Sequence, residues 1–233
     1  MELFRYADRP DLRQVRGELQ AFPEFMSHNA MGSRYWGRLY GEFPAFQLGL
    51  LDDGRLVAEV HALPVPLAGD ELPEGWDEAF ERGMTAGGGD VLSLLAIAVD
   101  PHRRGQGVAT RLIEAAREAA REAGLRSVIA AVRPTLKERY PLIPIERFVL
   151  WRRDDGAHFD PWIRVHERVG GEIVRPAPDS MRIEASVPDW EEWTEMRFPE
   201  DGTYVVPGML APLEVSAGVG VHVEPNVWMR HPV

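Results

Sequence analysis

Apolar and polar residues along the chain recur with two periods, which predict strands in some segments and helices in others. Val91–Val99 is an almost unbroken apolar run, the pattern of a strand that is buried on both faces. Val108–Ala123 has apolar residues at helical spacing with charged residues between them, and Gly124 follows as a C-terminal stop. Ser127–Val132 predicts a second buried strand. These segments indicate a fold of mixed α and β structure.

The segment before Val91 predicts further helices and a hairpin. The hairpin is the clearest element, because Asp52-Asp53-Gly54 separates two apolar stretches and Asp-Gly supplies the positive φ that a tight turn requires. The predicted elements are a strand beginning at Phe4–Tyr6, helices over Pro10–Phe22 and Phe25–Tyr40, hairpin strands Phe46–Leu51 and Arg55–Leu63 ended by Pro64 and Pro66, and a short helix within Gly69–Met84.

The C-terminal part of the chain is rich in predicted strands. Asp160-Pro161 has the pattern of an N-cap followed by proline at the first helical position, and it predicts a helix that stops at Gly170-Gly171. Beyond this helix, the pattern predicts strands at Met181–Val187, Tyr204–Pro207, Leu210–Val215 and Val219–Trp228, and a short helix at Asp189–Met196. No repeat or obvious linker divides the chain, so we expect one domain over residues 1–233.

Composition excludes several classes of protein. With 45% apolar residues among 233, the chain can bury a sizeable core, and its net charge of −11 argues against nucleic-acid and membrane partners. The absence of cysteine excludes thiol nucleophiles, so any acyl transfer must proceed without a cysteine nucleophile, which fits direct attack. The N-terminus has no basic segment followed by an apolar one, and we expect a soluble, cytoplasmic protein.

Positive charge is concentrated in one stretch. Residues 101–153 carry twelve Lys or Arg and five Glu, a net charge of +7 in an acidic chain. This stretch predicts either a site for a polyanionic small ligand or a solvated helix face followed by a basic loop.

The segment from Asp100 to Thr110 turns from a buried strand through a glycine-rich loop into a helix. Glycines let a ligand approach the backbone closely, and a helix N-terminus favours anions, so the turn predicts a phosphate site. A Walker loop is excluded because no Gly-Lys-Ser/Thr follows. A dinucleotide fingerprint fits poorly because Thr110 stands where its third Gly or Ala would be.

The loop itself resembles a known signature. Arg104-Gly105-Gln106-Gly107-Val108-Ala109 is similar to the Gln/Arg-x-x-Gly-x-Gly/Ala motif of the GCN5-related N-acetyltransferase (GNAT) family, and the flanking strand and helix are similar as well. The resemblance covers roughly residues 1–175 and implies an α/β fold of the GNAT type: a mixed, twisted sheet flanked by helices. It implies acetyl-CoA or another acyl-CoA as co-substrate. The residues implied for its pyrophosphate are Arg104, Gly105, Gln106, Gly107, Val108 and Ala109, and those implied for pantetheine are Ile97 and Val99.

Residues His166 to Gly171 also resemble a GNAT segment, Tyr-Glu-Lys-Leu-Gly-Phe, with two departures, His166 for the tyrosine and Gly171 for the phenylalanine. His166 stands where the family has the tyrosine that protonates the leaving thiolate, so the resemblance implies that His166 is the acid. The alternative is a half-buried structural histidine. Relative to the family, residues 133–158 form an insertion, and residues 176–233 form a strand-rich C-terminal extension. If the protein is a homodimer, we expect strand exchange through this extension.

Two groups of residues are candidates for the remaining chemistry. Glu59 and His61 alternate on one face of a predicted strand and are the best-placed general bases, although both could be ordinary outward-facing polar residues. The basic, aromatic insertion predicts an acceptor site, with a packed surface loop as the alternative. Its candidate substrate-binding residues are Lys137, Arg139, Tyr140 and Arg147. No His, Asp or Glu spacing resembles a metal site, so we expect no metal.

The function that these observations favour is transfer of an acetyl or short acyl group from acyl-CoA to a primary amine of a small molecule. Two alternatives stay open on the same fold. One is decarboxylation of an acyl-CoA, and the other is a non-catalytic module that binds acyl-CoA, which the missing tyrosine would favour.

Overall fold

The structure, a computed structural model, describes residues 1–15, 19 and 22–233, and in this part of the chain nine strands form one mixed sheet flanked by helices. The strands are β1 (Glu2–Arg5), β2 (Gln47–Asp52), β3 (Arg55–Val65), β4 (Val91–Val99), β5 (Ser127–Val132), β6 (Glu172–Ser186), β7 (Gly202–Tyr204), β8 (Leu213–Ser216) and β9 (Val219–Pro232). The α-helices are α1 (Ala30–Tyr35), α2 (Leu39–Glu42), α3 (Trp76–Ala86), α4 (Val108–Glu122), α5 (Ile145–Phe148), α6 (Pro161–Arg168) and α7 (Val187–Thr194).

The sheet is antiparallel from β1 to β4, and β4 and β5 are parallel. Strand β9 then returns to the middle of the sheet. One edge of β9 pairs with β6 along most of its length, while its other edge pairs with β8 near Val219 and with β5 near Val227. The strand-rich C-terminal region that the sequence predicts is therefore present, and its last strand lies between β5 and β6.

The strongest sequence patterns predict their elements closely. Strands β4 and β5 have the predicted bounds, and α4 ends one residue earlier than predicted, ahead of Gly124 with its φ of +70°. The side chain of Asp160 caps α6 by accepting hydrogen bonds from the backbone N–H groups of Trp162 and Ile163. The hairpin of β2 and β3 is confirmed, although β3 runs on through Pro64 to Val65.

Other predicted bounds are wrong because local capping and tertiary pairing decide them. The predicted helix Phe25–Tyr40 is split, since the Asn29 side chain accepts the N–H of Gly32 and starts α1 afresh after a 3-10 turn at Glu24–His28. Of the predicted helix Pro10–Phe22, a 3-10 turn forms at Pro10–Gln14, and most of the remainder lies outside the described residues. Strand β6 starts nine residues before the predicted Met181 because it pairs with β9 from Glu172 onward.

Two apolar layers cover the sheet, one on each face. Helices α4 and α6 cover one face through a cluster that includes Leu94, Leu112, Val128 and Ile163. Helices α1, α2 and α3 cover the other face through a cluster that includes Leu63, Phe80, Leu95, Ile129 and Trp228. We call these the α4 face and the α3 face. Among the helices that the structure describes, none is both long and apolar enough to cross a membrane.

Candidate active site

Strands β4 and β5 part in the middle of the sheet. They pair from Leu92 to Leu94, opposite Val128 to Ala130, while the other edge of β5 pairs with β9 along its whole length. The backbone N–H and C=O groups of the rest of β4, Leu95–Val99, therefore do not hydrogen-bond to β5. We call this segment the open edge. The N–H of Asp100 donates to Val57 O of the β3 side at 2.9 Å, so by alternation the backbone groups of Ile97 and Val99 turn toward the gap.

The glycine loop, Asp100–Gly107, continues directly from the open edge. The Asp100 carboxylate accepts the N–H of His102 at 2.8 Å and starts a tight turn. Gly105 and Gly107 both have φ of +75°, a conformation that favours glycine, and a Cβ at either position would meet no atom of the described residues within 4 Å. The space in front of the loop is thus open, and α4 begins at Val108.

The glycine loop joins two groups of backbone atoms, those of the open edge and those at the N-terminus of α4. The first turn of α4 offers backbone N–H groups that the helix itself does not use, and 15 residues of helix lie behind them. Residues 104–107 are exposed. Arg103 is paired with Asp52, which stiffens the start of the loop. The structure thus brings together the two segments to which the resemblance assigns the CoA contacts, the loop and Ile97 with Val99.

Glu59 and His61 form a polar cluster on the α3 face, beside the open edge. Glu59 Oε1 lies 3.3 Å from His61 Nε2, and His61 Nδ1 lies 3.1 Å from Oε1 of the buried Gln47. Tyr6 donates its hydroxyl to Glu59 Oε2 at 3.3 Å. In the sheet Glu59 is opposite Ala98, and the Glu59 side chain is 21% exposed whereas that of His61 is 2% exposed. This arrangement places a partly accessible carboxylate beside β4, with its imidazole neighbour locked behind it.

His166 lies in a different environment, on the α4 face. Its Nδ1 is 2.9 Å from Nε2 of His231, its Nε2 has no hydrogen-bond partner within the described part of the chain, and both residues are buried. Burial, and then the neighbouring His231, lower the pKa of His166 to about 3. His231 is opposite Val128 in the sheet, in the part where β4 and β5 are still paired. The role of His166 as acid stays a prediction, and the ring is neutral at physiological pH.

The four insertion residues that were assigned to the acceptor are not gathered at one point. Lys137 is buried, and its ammonium donates to the carbonyls of Tyr140, Pro141 and Leu210, while burial lowers its pKa to about 8. Tyr140 packs edge-on against Trp151 in an aromatic cluster. Arg139 and Arg147 are exposed. Lys137 therefore ties the insertion to the segment before β8, and the acceptor roles of all four stay predictions.

Sequence reasoning missed two features that shape this region. Arg133, which follows β5, pairs with the buried Glu224 of β9, and His222 lies 2.6 Å from the same carboxylate. Burial alone would raise the pKa of Glu224, but these two partners hold that pKa below its usual range. The second feature is Trp76, whose indole donates to the carbonyl of Leu95 at 2.8 Å. Neither has a sequence signal, because each depends on contacts between segments far apart in the chain.

The fold and the motif agree with comparisons to known proteins. The model of the acetyltransferase (GNAT) family matches residues 13–142, and the chain belongs to that family. It is therefore an acyl-CoA-dependent N-acyltransferase, as the sequence predicts. It is 30% identical over 267 residues to the arginine N-acetyltransferase avaD of Aspergillus versicolor, and the alignment covers 97% of this chain and 92% of that protein.

Two solved structures share the fold over nearly the whole chain. The loading GNATL domain of CurA from Lyngbya majuscula has a TM-score of 0.60 at 16% identity, covering 99% of this chain and 96% of that domain. The GphF GNAT-like decarboxylase, in complex with isobutyryl-CoA, has a TM-score of 0.58 at 18% identity, covering 99% of this chain and 97% of that protein. At this identity the likeness concerns the fold alone.

Proposed function

We propose that this enzyme transfers an acetyl group from acetyl-CoA to a primary amine of a small molecule by direct attack. The observation that carries the proposal is the continuity between the open edge of β4 and the glycine loop. A pyrophosphate on the loop N–H groups and the first turn of α4 would leave pantetheine extended along Ile97 and Val99. The thioester would then lie near Leu95, where β4 and β5 part, and an N–H of the open edge would donate to the oxyanion.

Glu59 serves as the general base in this proposal, and His61 positions it. The amine nitrogen forms a bond to the thioester carbon and gives its proton to Glu59, and the C–S bond then breaks to release CoA as a thiolate. A carboxylate that is partly exposed can reach an amine or a bridging water, whereas His61 is enclosed by Gln47, Trp36 and Tyr40. Because His166 is buried and neutral, we assign the proton that the thiolate takes up to solvent.

Arginine is the first acceptor to test, because the relative of 30% identity is named for it. The assay measures release of free CoA thiol from acetyl-CoA with amino acids, polyamines, aminoglycosides and peptides, together with the mass of each product. Turnover with one small amine well above the others would support the proposal. Tight CoA binding without turnover across the whole panel would overturn it, and carbon dioxide release from malonyl-CoA would replace it with decarboxylation.

A second comparison tests whether the exposed arginines of the insertion recognise a carboxylate on the acceptor. Arginine and arginine methyl ester differ only in that group. We expect a lower kcat/KM for the ester, and Arg139→Ala or Arg147→Ala should shrink the difference. An ester that is used as well as the free acid would show that these cations do not contact the acceptor.

A further inference from the structure

The residue at the point where β4 and β5 part carries a backbone irregularity. β3 pairs Ala62 with Leu94 and His61 with Ala96, so Leu95 is an extra residue, a β-bulge. A bulged residue leaves the regular ladder, and the carbonyl of Leu95 accepts its hydrogen bond from the Trp76 indole at 2.8 Å. Since Leu94 is also the last residue of β4 that pairs with β5, the indole lies at the apex of the gap.

The indole is held firmly in this position. Trp76 begins α3, and its backbone N–H donates to Oγ of the buried Ser180 at 2.9 Å. The preceding Gly75 lies so close to β6 that a Cβ there would be 2.2 Å from the Cα of Ser180. Phe80 packs edge-on against the indole, with ring centroids 5.1 Å apart. Trp76 is 7% exposed, and the backbone at the start of α3 is anchored to β6.

The indole lies on the face from which the amine must approach. Aromatic contacts lead from His61 to Trp36 at 4.9 Å, from Trp36 to Phe80 at 6.2 Å, and from Phe80 to Trp76. Glu59, the proposed base, is on this same α3 face, whereas the glycine loop leads into α4 on the opposite face. We therefore expect the acyl group to enter from the α4 face and the amine to approach from the α3 face. They meet in the gap between β4 and β5, beside the indole.

We propose that Trp76 sets the acyl-chain length that the enzyme accepts. The proposal rests on the placement of the thioester near Leu95 given under Proposed function. There, an acetyl methyl reaches the edge of the indole, and each further methylene must occupy space that the ring fills. In a hydrophobic pocket, one methylene changes discrimination by about 10- to 200-fold, so a single wall of this kind is sufficient to select acetyl-CoA.

Calorimetry with acetyl-CoA, propionyl-CoA and butyryl-CoA tests the proposal without an amine acceptor. The variants are Trp76→Leu, which opens the space, and Trp76→Phe, which opens less of it and preserves a ring if the first variant folds poorly. The matched control is Met84→Ala, which removes buried apolar contacts from the same cluster about two turns further along α3.

We expect the wild-type protein to bind acetyl-CoA more tightly than butyryl-CoA, and Trp76→Leu to reduce that preference at least tenfold. Trp76→Phe should shift it in the same direction by less, and Met84→Ala should leave it unchanged. A preference that stays within threefold of wild type in folded Trp76→Leu would overturn the proposal. If instead the proposed amine transfer is wrong, calorimetry would still show the preference for acetyl-CoA, but no amine would be acetylated in the turnover assay.

Discussion

The two histidine clusters of this enzyme differ in what surrounds them. His61 touches a carboxylate that is partly open to solvent and lies beside the open edge of β4. His166 touches only another histidine among its polar neighbours in the described structure, behind the part of the sheet where β4 and β5 remain paired. Burial lowers the pKa of His166 to about 3 and that of His231 to about 4, with Arg117 also lowering the latter.

The difference shows that a side chain at a motif position is not necessarily exposed enough to reach a substrate. His166 occupies the motif position, yet its ring is 1% exposed. Glu59 belongs to no motif, yet it has the accessibility and the partners of a base.

Glu59→Gln should lower turnover by about a hundredfold or more while the dissociation constant of acetyl-CoA changes little, because the amide cannot accept the proton of the attacking amine. Steady-state kinetics with thiol detection measure the first quantity, and calorimetry measures the second. Glu184→Gln is the control, since Glu184 is an exposed carboxylate on β6 that pairs with Arg182. Retention of more than a third of wild-type turnover in Glu59→Gln would assign the base to another group.

Gly107→Trp should weaken acetyl-CoA binding at least tenfold, about 1.4 kcal/mol, because the indole fills the space in front of the loop amides. Gly124→Trp is a close control. Gly124 also has positive φ and open space at its Cβ position, but it lies at the other end of α4. Equal affinities of the two variants in calorimetry would mean that the loop does not hold the pyrophosphate.

The histidine pair should make the fold sensitive to acid. Both folded-state pKa values lie below 6.5, so the unfolded chain binds more protons as the pH falls through 6.5 toward 4. Above pH 6.5 neither histidine lowers the free energy of unfolding. Below pH 6.5, each histidine lowers the free energy of unfolding by up to about 1.4 kcal/mol for every further pH unit. Urea unfolding at several pH values measures this slope, and His166→Phe should make it shallower. An unchanged slope in the variant would contradict the assigned pKa shifts.

The smallest effect is expected for the activity of the same variant. His166→Phe should change turnover less than threefold at neutral pH, because a buried neutral imidazole is a poor proton donor to a thiolate. The measurement requires conditions in which chemistry limits the rate. A loss of a hundredfold or more, with acetyl-CoA affinity preserved, would instead establish His166 as the acid that the sequence motif implies.

The sequence predicts the parts of the fold in which local signals and tertiary contacts agree. The apolar runs of β4 and β5, the glycines of the loop and the Asp160 cap are of this kind. The bulge at Leu95 could not be predicted, because it depends on pairing with β3 and on an indole from α3. The position of β9 could not be predicted either, since strand order is decided by contacts between distant segments rather than by periodicity.

The insertion shows the same limit for individual side chains. Its basic composition predicts an anionic partner, but Lys137 directs its ammonium at three carbonyls and Arg133 takes the buried Glu224 as its partner. Charge along the sequence indicates how many cations a segment carries. Only the fold shows which of them are already engaged.

The return of β9 to the centre of the sheet affects how the chain folds during its synthesis. The far side of β5 is completed by Val227–Pro232, about a hundred residues later in the chain than the strand it flanks. A ribosome therefore releases the glycine loop, and all of β4, well before it releases β9, the strand that completes β5. During that interval β5 has an unpaired edge, a state in which nascent chains are prone to mispairing. Completion of the sheet thus requires a closure between segments about a hundred residues apart, the kind of contact that slows folding.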